Sequence, residues 1–479
     1  MISRRSLIAS APVLLLAASG LAASPPIGLR TDLGIWTDDF DGLLKRRVIR
    51  MLVPYGRTLF FEDNGKLYGV TVFAAQLLET WLNKTYKTGS RPLVVALIPT
   101  SRDRLLDELL AGRGDVAAGN VSITPERAAR VAFTRPLLSN VKEIVVTHTG
   151  ALPLPDAEAL SGMEIAVQDG TSFQQSLATL NAKLSAEGKP PVKITTVPGV
   201  LEVEDIMEMV AAGLLPATVV DDWLADAWQP LIPGLELQDK AVLRSGTDIA
   251  WAVRPNNPKL LATLNEAITK LGGSTEQISK RTAGYLRSLK QIHNATGGTD
   301  VKRFEALRDL FIKYGDTYDF DELLLQAQSY QESRLEQSAR SHVGAIGLMQ
   351  LMPTTGTSMK VGDIHQAGPN VHAGAKYMRG LVDRYFPDAH FDRQNRTLFA
   401  FASYNAGPAA IARMRKLAAQ QGLNPDVWFN NVELVTAAHI GQEPVRYVRN
   451  IYKYYVAYSL LEQQQEAVEK ARKAATSGN

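Results

Sequence analysis

Near residue 272 the chain changes period. Upstream, short apolar runs alternate with helix-like segments: VIRMLVP, then VFAAQLLETWLN (72–83), then PLVVALIP, then RDRLLDELLAGRGDVAAGN. Strands alternating with helices in this way predict α/β units on a largely parallel sheet. Downstream, FEALRDLFIKYG, FDELLLQAQSYQESRL, GAKYMRGLVDRYF and RTLFAFASYNAGPAAIARMRKLAAQ carry only the helical period, so the second half is expected to be all-α or nearly so. Between them, residues 272–301 hold two glycine pairs and scattered Ser and Thr, the chemistry of a linker around one short helix. The chain has 479 residues. At ~100–200 residues per domain that length suits two or three domains.

Composition removes several function classes. There are 52 Lys+Arg against 49 Asp+Glu, and Arg4 and Arg5 lie in an N-terminal segment expected to be removed, leaving 50 − 49 = +1. A surface so close to neutral lacks the electrostatic footprint of a general nucleic-acid binder, so no nucleic-acid partner is expected. The sequence has no Cys. That excludes disulfides, thiolate zinc sites, cysteine nucleophiles, iron–sulfur clusters and lipidation of an N-terminal cysteine. The seven histidines, His342, His365 and His372 among them, show no HExxH or other ligand spacing, and no GxGxxG or phosphate loop is present. Neither a metal nor a cofactor is therefore expected. Residues 1–24 join a positive start (Arg4-Arg5), an apolar stretch from Leu7 to about Leu16 and small residues through Ala22, Ala23 and Ser24. This is the layout of a cleavable secretory signal, by the general or the twin-arginine route, with an uncleaved anchor as its rival. Export to the periplasm follows.

Three runs narrow the first half: GDVAAGNVSITPERAARVAFTRP (114–136), IAVQDGTSFQQSL (165–177) and ATVVDDWLADAW (217–228). They resemble the periplasmic amino-acid-binding proteins of solute-binding family 3, over about residues 46–271. The resemblance implies a type II periplasmic-binding-protein fold of two α/β lobes closing on a small ligand. It also implies that Arg127, with Ser122 and Thr124 beside it, pairs with the ligand's carboxylate, as suits a planar guanidinium. Thr171, at the start of a helix, is expected to add donors, and Asp221 to take the ligand's ammonium; Asp222 beside it makes that last choice less sharp.

In the second half, Asp319 or Asp321 can cap a helix whose apolar stripe is Phe320, Leu323, Leu324 and Ala327. Glu332 emerges in its last turn, where the helix dipole and apolar neighbours disfavour the ionised carboxyl. That is what a general acid needs near neutral pH. Most glutamates at helix ends are simply solvated, and it is the sequence around this one that singles it out. QESRLEQSARSHVGAIGLMQLMPTTG (331–356), NVHAGAKYMRGLV (370–382), FASYNAGPAAI (401–411) and EPVRYVRNIYKYY (443–455) occur in that order. Together they resemble the lytic transglycosylases of family 1, goose-lysozyme-like enzymes that cleave peptidoglycan, over about residues 302–460. The pairing of the two halves resembles the membrane-bound lytic murein transglycosylase F type. Residues 461–479 read as a polar tail.

This resemblance implies an all-α lysozyme-like domain in which Glu332 is the single catalytic acid/base. It implies cleavage of the bond between N-acetylmuramic acid and N-acetylglucosamine that leaves 1,6-anhydromuramic ends. Ser333 is expected to cap or orient the acid, Met349 and Gln350 to line the cleft, Tyr404 and Asn405 to meet the sugar, and Tyr447, with Tyr452 as rival, to hydrogen-bond Glu332. The partners implied are peptidoglycan strands and a small muropeptide or amino acid regulating from the first half, with peripheral association at the outer membrane. A hydrolytic muramidase on the same fold and an inactive ligand-binding sensor are the alternatives.

Overall fold

The computed structural model describes residues 34–63, 66–272, 284 and 298–477. The signal at 1–24 and nearly all of the linker lie outside the described residues.

The first half is built on one continuous sheet shared by two lobes. Its main strands are β1 (Val48–Val53), β2 (Val94–Pro99), β3 (Val116–Ser122), β4 (Leu138–His148), β5 (Glu164–Gln168), β6 (Lys193–Val197), β7 (Ala217–Asp221) and β8 (Leu235–Val253). They lie in the order β2-β1-β3-β8-β4-β7-β5-β6, and Ala132–Phe133 also pairs with β8. The outer pairs β1–β2, β1–β3, β5–β7 and β5–β6 are parallel, as the alternating pattern predicts. The two long strands run antiparallel through the middle and tie the lobes together: β8 begins opposite His148 of β4 and ends opposite Ala117 of β3. The register of β8 against β4 shifts repeatedly between Gln238 and Ile249. Such irregularities bend and twist a strand, which is what lets one ladder serve two lobes. Helices α1 (Val70–Thr85), α2 (Ser172–Ala186), α3 (Val203–Ala211) and α4 (Pro258–Leu271) cover the sheet.

The second half is helical: α5 (Gly298–Tyr318), α6 (Glu322–Ser333), α7 (Ala367–Tyr385), α8 (Arg393–Ala406), α9 (Pro408–Gln420), α10 (Glu433–His439) and α11 (Gln442–Ser477). Helix α5 therefore starts inside the segment read as linker, and α11 runs on through the segment read as tail. Helix α6 occupies the centre, and every residue from Leu323 to Tyr330 is buried. Its polar members bond there through their donors: Gln326 donates to the Phe304 carbonyl and Ser329 to the Leu348 carbonyl, while Oε1 of Gln326 and of Gln328 is buried without a partner.

Packing does not stop at the linker. One cluster of buried apolar side chains joins the second lobe (Val203, Met207, Trp228) to the helical half (Phe304, Leu324, Tyr458), while the first lobe keeps its own core around Val53, Val72 and Leu97. Beneath the first lobe lies a fully buried ion pair, Arg50 with Asp115 at 2.9 Å, joined by Arg254 at 3.3 Å.

Candidate active site

Glu332 sits one residue before the end of α6. Asp321 is the cap, its side chain accepting from the Leu324 amide, and the chain leaves the helix through two left-handed residues, Arg334 and Leu335. That sharp exit frees the last turn to face outward, and the Glu332 carboxyl meets Tyr447 of α11, whose hydroxyl donates to Oε1 at 2.5 Å. Gln328, one turn earlier on α6, donates to the same Tyr447 oxygen at 3.1 Å. Burial pushes the Glu332 carboxyl above the usual range, the Tyr447 hydrogen bond opposes this, and the Glu443 carboxylate raises it further. The Tyr447 phenol is itself pushed well up by burial and by Glu332. It thus stays protonated and remains a donor.

The other expected cleft residues are arranged differently from the sequence expectation. Ser333 does not reach the acid: its hydroxyl serves the carbonyls of Ser329 and Leu348 at 2.9 and 3.0 Å. Its role is to lock the glycine-rich run onto α6. Met349 is fully buried rather than on a cleft wall, packed beneath Gly374, where a Cβ would lie 2.8 Å from the Met349 side chain. Its backbone does the work, the amide donating to Asn370 Oδ1 and the carbonyl accepting from the Tyr404 hydroxyl, both at 2.8 Å. Gln350 has positive φ and folds its amide back on the Gly347 carbonyl at 2.9 Å. Tyr404 is fixed by that same carbonyl of Met349 and stands edge-on to Tyr377. Asn405 donates through Nδ2 to Glu443 at 2.8 Å, and its Oδ1 is buried without a partner. Tyr452, the rival to Tyr447, packs on Phe429 and Tyr455. Of the carboxylates near the motif, Glu336 pairs with Arg303 and Asp363 with His365. Glu443, in the first turn of α11 and one turn before Tyr447, is the one that sequence reading missed, although it opens the EPVRYV run.

In the first half a cavity of about 250 Å³ opens between the lobes. Ser122, Arg127, Thr171 and Asp221 line it, together with Arg102, Asp103 and Asn120, which sequence reading had not singled out. Thr124 is not at its wall; its hydroxyl caps the short helix that carries Arg127. Arg127 donates to the carbonyls of Ser122 (3.1 Å) and Gly170 (3.0 Å), bridging the lobes. Burial and the nearby Arg102 pull its pKa down to about 10. Thr171 uses its hydroxyl on the Gln168 carbonyl. Asp221 is buried, accepts from Asn120 at 2.7 Å through one oxygen and leaves the other unpaired. Burial, with Glu143 and Asp222 nearby, pushes it up to about 7 against the pull of Asn120. Asp222 instead caps its own turn on the Trp223 amide. Arg102 spans the cleft to Glu202 at 2.6 Å, and a Cβ at Gly170 would fall 2.5 Å from the Asp103 backbone, so the lobes touch.

Helix α11 connects the two sites. Tyr447 touches Glu332, Arg449 pairs with Glu433 at 2.5 Å and donates to the Val200 carbonyl, and Lys453 sits between Asp205 and Glu208 of α3, which also hold Arg57 of the first lobe. Lys453 and Tyr454 are used in packing: Lys453 pairs with Asp205 and Glu208, and Tyr454 lies against Tyr330.

Comparison with known proteins agrees with both halves. Residues 52–284 match the bacterial extracellular solute-binding proteins, family 3, and residues 309–426 match the transglycosylase SLT domain. A membrane-bound lytic murein transglycosylase F from Maricaulis maris is 30% identical over 446 residues, covering 87% of this chain and 91% of the relative. The chain belongs to the membrane-bound lytic murein transglycosylase F family. It is accordingly a lytic transglycosylase of the cell envelope, with a type II binding-protein fold ahead of a lysozyme-like domain. The F-type relative from Shewanella halifaxensis is 28% identical, with 84% of this chain and 83% of the relative covered. Among solved structures, an ancestral arginine-binding protein bound to arginine superposes with TM-score 0.41 at 24% identity, over 49% of this chain and 97% of that one. The SLT match ends before α11, so Tyr447 and Glu443 lie outside the matched segment.

Proposed function

We propose that this transglycosylase acts on peptidoglycan, cleaving the β-1,4 bond between N-acetylmuramic acid and N-acetylglucosamine with Glu332 as its single acid/base. The observation that carries the reading is the half-buried Glu332 carboxyl, raised in pKa and held by Tyr447. A protonated carboxyl gives its proton to the glycosidic oxygen as the bond to C1 breaks, and the N-acetylglucosamine leaves with a new hydroxyl. The resulting carboxylate then takes the proton of the muramic O6 hydroxyl while O6 bonds to C1. No water is consumed, and Glu332 ends protonated. Two-carboxylate glycosidases place the second group ~5–5.5 Å or ~6.5–9.5 Å away with a nucleophile's or base's freedom. Here Glu336, Asp363 and Glu443 are all engaged elsewhere, which favours assistance by the muramic N-acetyl group and intramolecular attack. The released ends, anhydro or reducing, test this chemistry.

For the first half the reading is a small zwitterionic ligand, an amino acid or muropeptide, that regulates the enzyme. Among the described residues the Arg127 guanidinium donates to backbone carbonyls and not to a carboxylate, and Asp221 keeps an unpaired oxygen, a complementary pair for a ligand with one charge of each sign. Regulation is supported by α11, which carries the Glu332 contact at Tyr447 and the lobe contact at Lys453 six residues, or about 9 Å, apart on one rigid helix. In a thermal-shift or calorimetric screen of amino acids and muropeptides, one ligand class should bind, and Arg127→Ala should weaken it by about 10–100-fold, the range for a charged hydrogen bond. Equal affinity in Arg127→Ala would remove this assignment.

The reading includes export by residues 1–24, action in the periplasm and peripheral attachment at the outer membrane. Among the described residues no helix is long and apolar enough to cross a membrane. The family name supports the envelope location.

A further inference from the structure

Glu443 is an exposed carboxylate that nothing in the reaction above uses. It nevertheless makes, among the described residues, the one side-chain hydrogen bond of Asn405, and it stands one turn before Tyr447, on the same face of α11. A carboxylate only accepts hydrogen bonds, so it selects the NH2 edge of the Asn405 amide and forces the oxygen to the other side. That oxygen is buried and has no partner. An unpaired buried amide oxygen is costly, and a bound donor removes the cost.

We propose that Glu443 is a positioning residue: it fixes the Asn405 amide so that Oδ1 receives the amide N–H of an N-acetylated sugar, and it sets a negative charge beside Glu332. The proposal rests on the reading of Glu332 as the acid. Among the described residues, the ionisable groups bearing on Glu332 are Tyr447 and Glu443 of α11 and Tyr404 of α8, and of these only Glu443 is a second carboxylate. A like charge favours the neutral form, so Glu443 keeps Glu332 protonated to higher pH. Tyr447 and Glu443 then act in opposite senses, one steadying the carboxylate left after proton donation and the other restoring the acid.

Two substitutions separate the two effects. Glu443→Gln keeps an oxygen for the Asn405 NH2 group but removes the charge. Its KM should match that of the parent while the alkaline limb of kcat/KM moves to lower pH, so that activity falls several-fold at pH 8 and is unchanged at pH 5. Glu443→Leu removes both, and KM should also rise by about 2–10-fold on N-acetylated glycan, the scale of one hydrogen bond. On chemically de-N-acetylated glycan strands it should not rise further. An unmoved alkaline limb in Glu443→Gln, or a KM change in Glu443→Leu equal on both glycans, overturns the proposal. Full activity of Glu332→Gln would instead overturn the acid assignment, and the KM comparison for Asn405 would still be readable.

Discussion

Glu332→Gln should lower turnover of peptidoglycan by ~10²–10⁴-fold, the usual contribution of one general acid/base, while the protein folds and binds glycan as before. Gln has nearly the same shape, and its oxygen still accepts from Tyr447, so the contact between α6 and α11 survives. What disappears is the transferable proton. The loss belongs in kcat, because the sugar is gripped by other groups and the proton moves only in the transition state. In the proposed cycle the same carboxyl serves both proton transfers, so its loss stops both halves. A residual activity within tenfold of the parent would mean that another group performs the proton transfer.

The second large effect is structural and lies far from Glu332. Asp115 accepts the backbone amide of Arg50, two guanidinium hydrogen bonds from Arg50 and one from Arg254, with all three side chains at most 3% exposed. Arg50 spends its remaining donors on the carbonyls of Gly34, Trp36 and Gly112. Asp115→Ala leaves two buried guanidiniums without their counter-charge. Breaking a buried pair from one side costs about 3–5 kcal/mol, which for a unit this size lowers the first unfolding transition by roughly 10 °C. Calorimetry measures it directly. A shift of a degree or two would show that the cluster is hydrated or easily rearranged. Because the first lobe, which holds Asp115, keeps a core separate from the cluster shared by the second lobe and the helical half, Asp115→Ala should leave the later unfolding transition in place.

The contrast between these two residues explains how far the sequence could be read. The cap at Asp321, the exit of α6 just beyond Glu332 and the change of period near residue 272 are local: they follow from residues three or four apart, which helix and strand geometry brings together. Tyr447 was found through the order of motifs, although its contact with Glu332 spans 115 positions. Spacing said nothing about which way a side chain turns within a motif. Ser333 and Met349 stand in the right run, yet one is spent on two carbonyls and the other lies fully buried, because the glycine-rich run is held against α6 by its backbone. Glu443 was overlooked for the converse reason, since its partner Asn405 lies on another helix. Likewise Arg102, just after β2, and Asn120, within β3, are brought to the cleft by the fold; nothing in RDRLL or GNVSI announces it. The linker reading identified the change of fold but not the extent of packing across it, which depends on Lys453, Arg449 and Val200 meeting in three dimensions.

The account turns on a glycosidic bond being broken without water. The direct measurement is mass spectrometry of the muropeptides released from purified peptidoglycan by the intact chain, with the Glu332→Gln variant as control. The expected product carries 1,6-anhydromuramic ends, lighter by one water than a reducing end, and is missing from the control. Reducing ends as the main product would make the enzyme a hydrolase and contradict the single-carboxylate mechanism.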